Sequence, residues 1–146
     1  MNKKKAISMT SLATIAVVAM FIISPYFYDV TVDEALPTAS AEFPAGKFVG
    51  SGDGIHEVEG DALIIKLEDG SQYVRFENFK STNGPDLYVY LATDDKASDF
   101  VNLGLLKGNI GNQNYEIPEG VDLSKYNKVL VWCKAFSILF GSAELA

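Results

Sequence analysis

The sequence has few of the residue types that most often build chemical sites. Its 146 residues include one cysteine and one histidine. One cysteine cannot form a disulfide within the chain, although its thiol is available to another molecule. A structural zinc site ordinarily takes four nitrogen or sulfur ligands, which this pair does not supply. The histidine accompanies no recognisable nucleophile motif, so a hydrolase triad is not predicted.

Basic residues are also scarce. Residues 42–146 hold nine Lys and Arg against sixteen Asp and Glu, which gives this part a net charge of −7. Because nucleic acid attracts cationic surfaces, the chain is predicted not to bind nucleic acid. Asp94, Asp95 and Asp99 match no spaced calcium-binding loop, and they predict a solvated acidic turn.

The one long apolar run lies near the start of the chain. Ala6–Ile23 contains no charged residue, and a transmembrane helix needs roughly 20 apolar residues. Residues 1–28 are therefore predicted to form a cytoplasmic tail and a transmembrane signal-anchor. Lys3–Lys5 precede the run and acidic residues follow it, so the positive-inside rule places the C-terminal domain outside the cytoplasm. We expect a single-pass protein of the cell membrane.

A cleaved secretory signal is the alternative to an anchor. Ala39-Ser40-Ala41 is a small-x-small site of the kind that a signal peptidase cuts after Ala41. The apolar run ends at Ile23, whereas a signal peptide is ordinarily cut close to the end of its apolar core. The anchor is therefore the preferred interpretation, and residues 29–45, which lack periodicity, are predicted to be a spacer.

Residues 46–146 have the period-two pattern of β-strands. No helical period extends over ten or more residues there, and turn residues recur about every eight to twelve positions. We predict an all-β domain, an antiparallel β-sandwich or flattened barrel of about eight or nine strands. The candidate strands are Lys47–Ser51, Ile55–Val58, Ala62–Leu67, Gln72–Phe76, Leu87–Leu91, Leu103–Leu106, Asn114–Ile117, Lys128–Lys134 and Phe136–Phe140.

The strand that ends with the cysteine is apolar on both faces. Alternation places Val129, Val131 and Cys133 on one face and Leu130 and Trp132 on the other. A strand that is apolar on both faces is predicted to be central in its sheet.

Cys133 and His56 each have two interpretations. Cys133 is either a small buried hydrophobe, as free cysteines commonly are, or a thiol that oxidises or ligates a prosthetic group. An unpaired thiol is unusual in an oxidising exterior, which favours the second interpretation. His56 is either an ordinary strand or turn residue or a partner of Cys133, as a second haem or metal ligand or as a base.

Several motifs occur in a characteristic order and resemble the DM-thirteen (DM13) family, an electron-transfer domain of extracytoplasmic and cell-surface proteins. The resemblance covers most of residues 46–145, and the segment from Asn83 to Leu91 is the most specific. The motifs are Gly46-Lys47-Phe48, His56 with Gly60, Val74–Phe79, Asn83–Leu91, Asn112–Pro118, Val131–Ser137 and Phe140–Leu145.

The resemblance implies a β-sandwich-like domain whose characteristic cysteine, here Cys133, does redox work as a naked thiol or by holding haem. His56 is the candidate second haem ligand. Family members often carry DOMON or membrane cytochrome domains, so we expect a separate redox protein as partner. An electron carrier or binding module is expected rather than a stand-alone enzyme. The alternative is a cell-envelope interaction or ligand-binding module in which Cys133 is structural.

Overall fold

A helix and nine strands make up the structure, a computed structural model that describes residues 3–24, 28–38 and 41–146. Helix α1, Lys3–Ile23, forms where the apolar run predicts a helix. Across the described residues, no helix is long and apolar enough to cross a membrane. Of the transmembrane helix predicted within residues 1–28, the structure shows the helix. Ala39 and Ser40 of the alternative cleavage site lie outside the described residues.

The nine strands of the described chain form two antiparallel sheets. One sheet has the strand order β1-β3-β4-β7 and the other β2-β9-β8-β5-β6. Packed face to face, they form the predicted β-sandwich. The strands are β1 Ala41–Lys47, β2 Val49–Gly50, β3 Val58–Lys66, β4 Gln72–Ser81, β5 Leu87–Ala92, β6 Phe100–Leu105, β7 Gln113–Ile117, β8 Lys128–Cys133 and β9 Ile138–Glu144.

Strand β3 replaces two shorter strands that the sequence predicts on either side of Glu59-Gly60-Asp61. The register between β3 and β4 shifts between Glu59 and Asp61, which marks a β-bulge. Gly60 has φ of 118°, and a Cβ there would lie 2.7 Å from the backbone oxygen of Glu77. A glycine is therefore required at this position, and the turn-like sequence bends the strand without ending it.

The range predicted as a spacer, residues 29–45, contains ordered pairing that its sequence does not reveal. Strand β1 begins at Ala41 and pairs with β3. Residues 28–36, which we call the strap, run along the domain, and Thr31 forms a parallel bridge with Ile110. The amide of Val32 donates to the carbonyl oxygen of Ile110 at 2.9 Å. The expectation of a segment without strand structure is therefore wrong here.

The core lies between the two sheets. Phe76 of β4 is fully buried and contacts Phe48, Phe79 and Tyr115, with ring centroids 4.8, 4.8 and 5.1 Å away. The facing sheet contributes apolar side chains from β5 and β8, among them Val89 at 0 % exposure. Contacts among these rings and branched side chains hold the sandwich together.

Strand β8 has the orientation that alternation predicts. Val129, Val131 and Cys133 belong to the core between the sheets. Leu130 and Trp132 lie on the opposite face, in a second apolar cluster with Tyr90. The strand is central, because β5 and β9 pair with its two edges. The structure therefore confirms which side chains of β8 face the core and that β8 is central in its sheet.

Replacing Phe76 by alanine should lower the free energy of unfolding by about 3 to 5 kcal/mol, because the variant leaves a cavity among three aromatic rings. Urea unfolding followed by circular dichroism measures the loss. Phe136→Ala is the matched control: Phe136 is 61 % exposed in the β8–β9 turn, and its replacement should change stability by less than about 0.5 kcal/mol. Equal losses in the two variants would contradict the assignment of the core.

Candidate functional site

Cys133, the predicted redox residue, is the last residue of β8. Its side chain is only 1 % exposed and belongs to the core cluster. In the sheet register it lies opposite Leu87 of β5 and Ile138 of β9. The next amide, that of Lys134, donates to the carbonyl oxygen of Asp86 at 2.9 Å. The thiol is thus buried, but only the exposed turn Lys134–Ser137 separates it along the chain from β9.

His56 lies in the loop between β2 and β3, where Asp53 fixes its position. One carboxylate oxygen of Asp53 accepts hydrogen bonds from the amides of Ile55 and His56, both at 2.8 Å. The other lies 2.5 Å from Nδ1 of His56. The imidazole packs against the ring of Phe140 with a centroid distance of 4.1 Å. Asp53 and Phe140 therefore hold His56 at the edge of the core.

Hydrogen bonding makes Asp53 a stronger acid. The amide of His56, its imidazole and the amide of Ile55 all stabilise the carboxylate, and they hold the pKa of Asp53 well below its ordinary value. The carboxylate is therefore ionised at neutral pH. It is available to orient the imidazole through Nδ1.

Among the described residues, no hydrogen bond or ion pair joins Cys133 to His56. His56 packs on Phe140, and a Cβ at Gly84 would touch both Phe140 and Leu87. Leu87 in turn lies opposite Cys133. Phe140 thus lies next to the imidazole, and Leu87 lies next to Cys133 in the sheet register. The assignment of either residue to redox chemistry stays a prediction.

Haem ligation by the pair does not fit this arrangement. Two axial ligands must face each other across an open slot wide enough for the porphyrin. Asp53 bonds Nδ1 of His56 and leaves Nε2 as the possible ligand nitrogen, but the imidazole lies against Phe140. Cys133 is enclosed by core side chains at 1 % exposure. We therefore derive no chemistry through haem.

The acidic turn between β5 and β6 is held by separate local contacts. Asp94 accepts hydrogen bonds from the amides of Lys96 and Ser98. Asp99 accepts from Nζ of Lys125 at 2.7 Å. These carboxylates do not converge on one point, and across the described residues no group of three or more His, Cys, Asp or Glu side chains is placed to hold a metal ion.

A buried polar network that the sequence analysis did not identify lies beside β7. Gln113 is 0 % exposed, and its amide group exchanges two hydrogen bonds with the backbone of Gly108, at 2.8 and 3.1 Å. The hydroxyl of Tyr115 donates to Oε1 of Gln113 at 2.6 Å and accepts from the amide of Lys107 at 3.0 Å. Gln113 and Tyr115 thereby fix the loop between β6 and β7.

The same loop binds the strap through an acidic side chain. Glu34 accepts from Nζ of Lys107 at 2.7 Å and from the amide of Asn114 at 2.6 Å. Partial burial acts to raise the pKa of Glu34, but the hydrogen bonds and the positive charge of Lys107 outweigh it and lower the pKa. Glu34 and Lys107 are 73 residues apart in the sequence. Local sequence patterns therefore could not predict this contact.

Asp53→Asn should destabilise the protein at about pH 5. The asparagine side chain lacks the negative charge that the hydrogen bonds from Ile55 and His56 stabilise. The folded-state pKa of Asp53 is lowered, so its contribution is complete above the unfolded-state pKa of about 3.9 and is lost as the pH falls further. The difference between wild type and variant in urea midpoint should therefore narrow between about pH 5 and pH 3.

Glu119→Gln is the control for this experiment, because Glu119 is an exposed carboxylate in the turn after β7. Its replacement should leave the urea midpoint nearly unchanged at both pH values. An Asp53→Asn difference that stays the same from about pH 5 to pH 3 would contradict the role given to the carboxylate charge.

Comparison with known proteins gives one match. The family described as Electron transfer DM13 matches residues 47–145, which is more than half of the chain. No curated protein and no solved structure matches the chain. The matched range contains β2 to β9 and both candidate residues, Cys133 and His56. The chain belongs to the DM13 electron-transfer family.

Proposed function

We propose that this chain is a redox module in which the thiol of Cys133 exchanges electrons with a separate protein. Membership of an electron-transfer family supports a redox role. Cys133 is the one thiol of the chain and lies inside the matched range. The observation that carries the assignment is its place at the end of β8, directly before an exposed turn.

The thiol becomes accessible by local opening of the β8–β9 hairpin end. The turn Lys134–Ser137 is exposed throughout, and Ile138, opposite Cys133, is 38 % exposed. Ser137 has φ of 54°, a left-handed conformation that costs free energy in a residue other than glycine. Strand ends with few buried contacts open at lower free energy than the core does. Opening at this end uncovers Sγ without separating the two sheets.

A single thiol supports electron exchange through a mixed disulfide. The Cys133 thiolate attacks a partner disulfide: a bond from Sγ to one partner sulfur forms, the partner S–S bond breaks, and the second sulfur leaves as a thiol after protonation. A dithiol donor then attacks Sγ, releases the first partner sulfur as a thiol and closes its own disulfide. Two electrons thus pass from the donor dithiol to the partner disulfide, and Cys133 returns to the thiol.

We also propose that the domain acts outside the cytoplasm, with the N-terminal segment directing export. Three lysines precede the apolar run and Asp29, Asp33 and Glu34 follow it, which is the charge order of exported chains. Protease added to intact cells should degrade the domain while a cytoplasmic marker survives. A domain that is digested only after the cells are lysed would contradict export.

An interaction module with a structural cysteine is the second candidate function. The 1 % exposure of Cys133 and its place in the core cluster favour this alternative, because a free cysteine in a core acts as a small hydrophobe. In that case the surface of the sandwich binds a partner, and the thiol contributes only packing.

The reactivity of the native thiol distinguishes the two candidates. The full chain is incubated with a small aromatic disulfide, and the mixed disulfide is followed by mass spectrometry. The redox role predicts modification faster than global unfolding, which is measured in parallel under the same conditions. Cys133→Ala is the control: it should not be modified and should keep the fold, at a cost of about 1 to 2 kcal/mol.

Each outcome has one meaning. Modification that requires global unfolding would reject the redox proposal and leave the interaction module. Added haem should give no Soret band that depends on Cys133. A band lost in Cys133→Ala would overturn our conclusion that haem does not fit the site.

A further inference from the structure

The outer edge of β7 and the loop before it form a polar groove, which the strap fills. The groove consists of Asn83, Arg75 and Lys107–Asn114, and we call it the strap groove. Residues 109–111 pair with β4 on their inner side: Ser81 donates to Asn109, and Gly111 donates to Phe79. Their other side faces the strap. This leaves a strand edge that accepts one more extended segment.

The backbone of the strap pairs with this edge. The amides of Val32 and Glu34 donate to the carbonyl oxygens of Ile110 and Asn112, both at 2.9 Å, and the amide of Ile110 donates to Val30 at 3.2 Å. The bridge between Thr31 and Ile110 is parallel. This is the pattern by which sheets bind extended peptides, with main-chain hydrogen bonds giving affinity and side chains giving specificity.

Each acidic side chain of the strap has its own polar partners in the groove. Oδ1 of Asp29 accepts from the side-chain amides of Asn109 and Asn83 at 2.7 and 3.2 Å. Asp33 accepts from the side-chain amide of Asn112 at 2.8 Å. These contacts recognise carboxylates at the second and sixth positions of the strap.

The seventh position of the strap is recognised by charge. Glu34 forms an ion pair with Lys107 at 2.7 Å, and its carbonyl oxygen accepts from Nη1 of Arg75 at 2.9 Å. Arg75 is 4 % exposed and also donates to Glu77 and Asn114, which hold its guanidinium in place. In a domain whose net charge is negative, the groove thus presents two cations to an acidic segment.

The strap resembles a bound ligand more than a part of the core. Tyr28, Val30 and Leu36 are 69, 51 and 50 % exposed, so the strap buries little apolar surface. It lies before the range that matches the family, which begins at residue 47. A Cβ at Gly108 would lie 2.5 Å from the backbone oxygen of Val30, and every close atom belongs to the strap. The groove is therefore shaped around a backbone that approaches closely.

We propose that the strap groove is a recognition site for an extended acidic peptide with carboxylates at its second, sixth and seventh positions, and that the strap occupies this site within its own chain. The partner is a protein segment of this chemistry, which competes with the strap. A tethered segment acts at an effective concentration of about millimolar. Free peptide therefore binds tightly only when the strap's own binding to the groove is weakened.

The full chain tests this with a fluorescent synthetic peptide of residues 28–36. The variant Asp29→Asn, Asp33→Asn, Glu34→Gln weakens the strap and leaves the groove unchanged. Fluorescence anisotropy should show that this variant binds the peptide at least about tenfold more tightly than wild type does, because its tethered competitor is weaker. A control peptide with the same three replacements should bind at least about tenfold more weakly than the acidic peptide. Equal binding of the two peptides, or no gain in the variant, would overturn the proposal.

Two further measurements locate the site and keep the test valid if the triple variant is poorly folded. Adding Gly108→Ala to the triple variant should abolish peptide binding while near-ultraviolet circular dichroism stays unchanged, and retained binding would place the site elsewhere. In the wild-type chain, the amides of Val32 and Glu34 should exchange with solvent by local opening, faster than the amide of Val89. Exchange of all three only through global unfolding would show that the strap is integral to the fold and would reject the proposal.

Discussion

The packing of β8 on both faces and along both edges is the constraint on which the rest of the sandwich depends. Val131 and Cys133 contact the core between the sheets, and Leu130 packs with Tyr90 on the outside. Strands β5 and β9 satisfy the backbone groups of the two edges. A residue in such a strand has no route to solvent except at the strand's ends. The position of Cys133 at the end of β8 therefore determines what its thiol can do.

The elements that the sequence predicts well are those whose pairing shows in their side chains. Alternation along β8 and the aromatic strand β5 leaves a period-two pattern, because one residue in two faces the core. The strap leaves no such pattern. It is held by backbone hydrogen bonds and by carboxylates that contact amide groups about 80 residues away. Exposed residues such as Val30 and Leu36 look like those of a linker, so periodicity cannot find this kind of pairing.

The candidate residues could be named from the sequence, but their arrangement could not. Cys133 and His56 are conspicuous because each is the one residue of its type. Phe140, against which His56 packs, is predicted to end a strand and instead lies within β9. The register of β8 against β9 shifts near Trp132, and a shift of one residue reverses the face on which each side chain lies. Because the sequence pattern does not reveal this bulge, it could not predict which side chains of β9 lie beside those of β8.

The strap pairs with the segment before β7, whose sheet does not contain Cys133. Leu87, opposite Cys133, also lines a cleft of about 280 Å³ together with Tyr28 and Val30 of the strap. Departure of the strap would expose the part of Leu87 that lines this cleft, on a strand that still pairs with β8. Access to the thiol depends on the end of the β8–β9 hairpin, whereas occupancy of the groove depends on the outer edge of β7. Because the two events break different hydrogen bonds, the proposed peptide recognition and the proposed electron exchange are separable, and either proposal stands if the other fails.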